Sequence, residues 1–237
     1  TFRFQAELLT PNLNLLYRVP SLDGYENLMP RRLARLLALL GSDRATVGEK
    51  LAGLDIQPEQ KANIFMQRKY LLDLLGVRYV ISVFALEGWP LLTEIKATRH
   101  QIPIYVYENP GAKPLAYFSK GMEIVQPNEA RALEKLLDMA GSGADLVECQ
   151  SDCPVSYQGV DAEARVLTQQ NNQVAIQTKA ETAGLLVLTQ IFLPGWRVTI
   201  DGQRAEILHV NTVFMGVAVL SGEHLVVFDY RYRNMIE

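Results

Sequence analysis

Phe192-Leu193-Pro194-Gly195-Trp196-Arg197-Val198-Thr199-Ile200-Asp201-Gly202 decides how the carboxy-terminal half is read. Pro194-Gly195 turns the chain, and Trp196, Val198 and Ile200 then alternate with Arg197 and Thr199, the period-2 pattern of a strand with one buried face. Asp201-Gly202 supplies the two positive-φ positions that a type I′ hairpin requires. Outward from this hairpin, short apolar segments recur about every ten residues. They are Ala162 to Thr168, Val174 to Thr178, Leu185 to Ile191, Ala205 to Leu208, Val213 to Leu220 and Leu225 to Tyr232. Ser221-Gly222-Glu223 reads as the turn of a second hairpin. Residues 155–237 are therefore expected to form a mostly antiparallel, jelly-roll-like β-sandwich of about seven or eight strands.

The amino-terminal half reads as mixed α/β, so the fold class expected of the whole is α+β. Phe2, Phe4 and Ala6 alternate with polar neighbours as an opening strand, Asn12 to Val19 reads as extended, and Asp23-Gly24 marks a loop. Pro30 suits the first turn of a helix carrying Leu33, Leu36, Leu37 and Leu40, which Gly41 ends. A second helix runs from Pro58 through Ile64, Phe65, Leu71, Leu72 and Leu75 to Gly76. It feeds Val77 to Val83, which is β-branched and aromatic and reads as a buried strand. Ile102 to Tyr107 is a further strand, closed by Glu108-Asn109-Pro110-Gly111, where a subdomain boundary is placed near residue 110. Strands at Leu115 to Phe118 and Met122 to Val125, and an Asn128-capped helix ending at Gly141, then connect the two parts across residues 111–154.

Composition narrows the function. The 237 residues carry 23 Lys+Arg against 26 Asp+Glu, a net charge of −3, with 49% hydrophobic and 21% charged residues. A chain of this size buries roughly 70% of its unfolded surface, which argues for a folded domain. Near-neutral, interspersed charge argues against the clustered Lys and Arg that nucleic-acid affinity needs, so no nucleic-acid partner is expected. No run reaches the ~18 apolar residues of a membrane helix: Arg35 and Gln190 interrupt the two longest candidates. The chain begins with Thr1 rather than Met and reads as cut from something longer.

Catalytic motifs are missing from the pattern. The carboxylates are scattered without pairing, no Gly-x-Ser-x-Gly elbow or glycine-rich phosphate loop occurs, and the three histidines lack metal-ligand spacing. No catalytic residue, cofactor or metal is therefore expected. Cys149 and Cys153, in Cys-Gln-Ser-Asp-Cys, are either a short disulfide or two packed thiols. Trp89, Trp196 and tyrosines such as Tyr25 are candidates for a sugar platform, since pyranose C–H faces pack on flat rings. Core packing is the rival assignment for Trp196; Trp89, between Gly88 and Pro90, reads as the more exposed ring.

Three segments in order carry a resemblance: Asp23-Gly24-Tyr25, Leu72-Asp73-Leu74-Leu75-Gly76-Val77-Arg78-Tyr79-Val80-Ile81, and Phe192 to Gly202. With Asn211, Phe214-Met215-Gly216-Val217 and Gly222-Glu223-His224, they resemble the carboxy-terminal extracytoplasmic region of bacterial YfhO-type polytopic membrane proteins. The resemblance implies glycosyltransferase-like parents using lipid-phosphate-linked sugars. It also implies that the acidic catalytic residues lie among amino-terminal membrane helices outside this sequence, so none is carried over.

The expected role is that of an accessory domain at the extracytoplasmic face of the bacterial cytoplasmic membrane. Its partners would be the membrane part of the same polypeptide and an acceptor glycan or cell-envelope polymer. There the Cys149–Cys153 bridge is permitted. The alternatives are a free-standing carbohydrate-binding β-sandwich module and a purely structural or protein-interaction domain.

Overall fold

The structure is a computed structural model that describes residues 29–41, 66–83, 85–96, 103–150 and 161–231. The sequence expectations for Phe2 to Ala6, Asn12 to Val19, Asp23 to Tyr25, Ile64, Phe65, Cys153 and the final segment from Tyr232 lie outside the described residues. The chain divides into two compact units, Thr1–Pro30 with Asp55–Ala112, and Arg31–Leu54 with Lys113–Glu237.

In the first unit, helix α2 (Lys69–Leu74) is followed by strands β1 (Tyr79–Ser82), β2 (Leu91–Lys96) and β3 (Pro103–Glu108) in an antiparallel sheet of order β1-β3-β2. Leu71 and Leu72 are buried, and Gly76 takes a positive φ of 68° that lets the helix end. The turn Asn109-Pro110-Gly111 is clamped to this helix. Asn109 donates its side-chain amide to Asp73 Oδ1 at 2.8 Å and to the Val77 carbonyl at 2.9 Å. A Cβ on Gly111 would stand 2.9 Å from the Asp73 carboxylate, so a larger residue there would have to displace that carboxylate from its bonds to Asn109 and Lys69. The reading of Val77 to Val83 as a buried strand is corrected: β1 is an edge strand, with Tyr79 and Ile81 exposed. Leu91–Lys96, also an edge strand and exposed throughout, has no counterpart in the sequence reading.

The second unit is a sandwich. Its helices are α1 (Arg31–Gly41) and α3 (Glu129–Asp138). Its strands are β4 (Ala116–Phe118), β5 (Met122–Val125), β6 (Asp145–Glu148), β7 (Ala162–Gln170), β8 (Gln173–Ala180), β9 (Gly184–Ile191), β10 (Trp196–Ile200), β11 (Gln203–Ala205), β12 (Leu208–Val210), β13 (Phe214–Val219) and β14 (Gly222–Tyr230). Five strands run in the order β11-β10-β14-β8-β7 and six in the order β4-β9-β13-β12-β6-β5. All pairings are antiparallel except β5 with β6, which α3 joins as a parallel crossover.

The core forms between the sheets. Val174, Ile176, Trp196, Val198, Val226 and Phe228 from one meet Phe118, Leu186, Leu188, Met215, Val217 and Val219 from the other. Ile200 packs against this cluster, so the alternating face predicted from the sequence is the inward one. The Asp201-Gly202 hairpin is as expected: φ is 51° and 81°, and Ile200 pairs with Gln203 directly across it. Asn128 caps α3 by accepting the Arg131 amide at 3.0 Å, and Glu129 stands in the first turn, where the helix dipole favours an acid.

Two expectations are corrected. Ser221-Gly222 is not a hairpin turn: β13 and β14 lie in opposite sheets, and the chain crosses the core edge there because both strands bury an apolar face against each other. Residues 111–154 do not merely connect, because β4, β5 and β6 are strands of the six-stranded sheet and Ala116 and Phe118 belong to the sandwich core.

Candidate functional site

Two polar arrangements stand out in the second unit, one exposed and one buried. Because Trp196, Val198, Val226 and Phe228 point into the core, their neighbours Arg197, Thr199, Val227 and Asp229 must face outward. Register places Arg197 opposite Asp229, Thr199 opposite both Val227 and Arg204, and Asp229 opposite Gln173. With Gly202 and Arg231 these residues line an open depression of about 390 Å³. Arg231 Nε is 2.7 Å from Asp229 Oδ2, whereas Arg197 and Arg204 make no ion pair among the described residues. The arrangement can take an oxyanion in two free guanidinium forks.

The buried arrangement centres on two carboxylates of β6. Asp145 is 0% exposed. It accepts from the Tyr117 hydroxyl at 2.6 Å, the Ser119 hydroxyl at 2.6 Å and the Asn211 amide at 2.7 Å. Burial, and then the Asp145 charge, pushes the Tyr117 phenol well above its ordinary range, which keeps it a donor. Asn211 completes the lock through Oδ1, which accepts the Leu146 amide at 2.8 Å, and it holds a positive φ of 48° in the β12–β13 turn. Three residues on, Glu148 is gripped by both Nη atoms of Arg32 from α1, the second at 3.0 Å from Oε2, and Arg32 also donates to the Thr212 carbonyl at 3.1 Å. His209, opposite Glu148 in register, lies against the Phe192 ring at 4.3 Å. Burial and the Arg32 charge hold its pKa below the ordinary value, outweighing the Glu148 charge. Thr212 has φ of 69°, a costly conformation for a β-branched residue, fixed here by the turn.

Trp89 and Trp196 belong to different units and both are 8% exposed. The expectation that Trp89 is the more exposed ring is corrected: its flanking glycine and proline do place it in a loop, but the ring packs edge-on against Tyr107 at 6.5 Å, with Lys69 Nζ 5.8 Å from its centre. Trp196 packs on Tyr230 at 5.5 Å inside the sandwich core. Tyr25 lies outside the described residues, as does Cys153; Cys149 is half-buried past β6, its amide donating to the Val125 carbonyl at 3.0 Å. Sequence reasoning missed Arg32, Asp145 and Glu148, which no local motif marks, and singled out Asn211 only within the family resemblance, without a role. Of the two outward arginines, Arg197 was legible in the alternation of the Trp196 strand, whereas Arg204 lies on β11 and was not singled out.

Among the described residues, no group of three or more His, Cys, Asp or Glu side chains is placed to hold a metal ion, and no helix is long and apolar enough to cross a membrane. No curated protein and no solved structure matches the chain. Residues 156–236, which run from before β7 to beyond β14, match the family described as bacterial membrane protein YfhO, so the carboxy-terminal part of the chain carries a segment of that family.

Proposed function

We propose that the chain is an extracytoplasmic accessory domain of a membrane glycosyltransferase-like protein. In this role it positions an acceptor glycan or envelope polymer, or supports the membrane part of the same polypeptide, and it transfers no sugar alone. The observation that carries the reading is the state of the two buried carboxylates. A general acid or base must exchange its proton with substrate. Asp145 instead receives three side-chain donors and Glu148 is closed by the Arg32 fork, so both serve as structural counter-charges. Trp89 and Trp196 spend their rings in packing, which leaves Tyr25 and the polar outer sheet face as the glycan-contacting candidates.

The test is an assay with lipid-phosphate sugars and aryl glycosides. Turnover is expected from the full-length protein in membranes and none from this chain alone. Turnover by the purified chain that persists through further purification would overturn the reading. An extracytoplasmic, oxidising location also permits a Cys149–Cys153 bridge. Mass spectrometry after alkylation without reductant would then find neither thiol modified.

A further inference from the structure

The whole chain carries a net charge of −3, yet Arg197, Arg204 and Arg231 converge on the outer face of the five-stranded sheet, where Asp229 is the lone acid lining the depression. Asp229 is taken up by Arg231, so two guanidinium groups are left without a counter-ion among the described residues. The same face is also aliphatic. Leu225, 43% exposed, lies two residues from Val227 on β14, and Val227 pairs with Ala175 on β8, which makes an apolar strip beside the arginines.

We propose that this face lies against the phosphate headgroups of an anionic bilayer. Arg197 and Arg204 take phosphate oxygens through their forks, and the strip through Leu225 and Val227 meets the lipid between headgroups. An open, shallow face that combines free arginines with an exposed leucine suits a lipid surface better than a soluble polyanion, which gains nothing from Leu225. The proposal goes beyond the accessory role and is tested apart from it, by lipid binding rather than sugar transfer.

The experiment is co-sedimentation of the chain with vesicles of phosphatidylglycerol and phosphatidylcholine, against vesicles of phosphatidylcholine alone, with circular dichroism on every variant. Partitioning that depends on phosphatidylglycerol is expected, weakened about 25-fold by Arg197→Ala with Arg204→Ala, roughly fivefold for each charge. Leu225→Ser should weaken it as well. Lys135→Ala, which removes a Glu123-paired positive charge from α3, the helix packed against β5 and β6 of the other sheet, should leave it unchanged. Three results would each overturn the proposal: no dependence on phosphatidylglycerol, a folded double arginine variant that binds like the parent, or arginine-dependent binding of inorganic polyphosphate with Leu225→Ser silent on vesicles.

Discussion

Asn211 places its side-chain amide 2.7 Å from Asp145 Oδ1, joining residues 66 apart in sequence. The same side chain accepts the Leu146 amide, and the backbone amide of Asn211 donates to the Leu146 carbonyl at 2.7 Å, so one residue pins the β12–β13 turn onto β6. Replacing it with Ala removes a donor to a buried charge, orphans a buried amide and puts alanine at positive φ. The expected cost is about 2–4 kcal/mol. Asn211→Asp should cost more, because it sets a second carboxylate beside Asp145. Urea denaturation of both variants checks the order; a loss under about 0.5 kcal/mol, the scale of an ordinary surface change, would show that the network is dispensable.

Gly216 is required by its neighbour. A Cβ there would stand 2.6 Å from Val210 Cγ2 and 3.1 Å from Leu185 Cδ1. Gly216→Ala should therefore destabilise by about 1–3 kcal/mol through overpacking. Val210→Ala alone opens a cavity, yet the two together should cost less than the sum of the singles, because each relieves the other. Additive losses in a double-mutant cycle would place the strain elsewhere.

The parts of the fold legible in the sequence are those whose cause is local. The Trp196 strand announces its inward face by alternation, Asp201-Gly202 encodes its turn in two residues, and Asn128 caps the helix that directly follows it. A turn signal does not say which sheet the chain enters next, which is why Ser221-Gly222 reads as a hairpin when it is a crossing between sheets. Asp145–Glu148 was illegible as a strand because it is buried on every residue and carries an acid at each end. Its burial is decided by Tyr117, 28 residues away, and Arg32, 116 residues away. Trp89 is a similar case: its loop is local, but the burial of its ring depends on Lys69 and Tyr107.

His224 Nδ1 lies 2.7 Å from Asp201 Oδ2, and Asp201 Oδ1 accepts the Leu225 amide at 2.8 Å, so the hairpin turn is tied to β14 by a titratable pair. The hydrogen bond to Asp201 raises the His224 pKa above its ordinary 6.5, and the bond to His224 lowers that of Asp201 below 3.8. A raised histidine stabilises fully below 6.5 and loses that contribution as pH rises through its folded pKa. A lowered aspartate stabilises above 3.8 and loses its contribution as pH falls through its folded pKa. The pair is thus strongest between these two values. His209, whose pKa is lowered, works in the opposite sense and destabilises as pH falls below 6.5. The informative quantity is therefore the Tm difference between the parent and His224→Gln, which should be positive near pH 5.5 and shrink at alkaline pH. A difference that grows with pH would contradict the assignment.

Among the described residues, Arg32 is the one cation closing over Glu148, whose side chain is only 2% exposed while that of Arg32 is 29% exposed. Arg32→Ala should cost about 3 kcal/mol, since it strands a buried charge and frees the Thr212 carbonyl that Arg32 also serves. Much of that cost belongs to the orphaned carboxylate rather than to the lost attraction. Adding Glu148→Gln should recover part of it, leaving the double variant more stable than Arg32→Ala alone. His209 provides an independent readout. Burial is the first cause of its lowered pKa and Arg32 the second, while Glu148 pulls the other way. Without Arg32 the Glu148 charge acts unopposed, and the imidazole should titrate at higher pH than in the parent, an effect that Glu148→Gln abolishes. NMR titration of the His209 ring protons, with denaturation curves for the three variants, tests both halves. A double variant less stable than Arg32→Ala, or a His209 pKa that falls when Arg32 is removed, would refute the account of this ion pair.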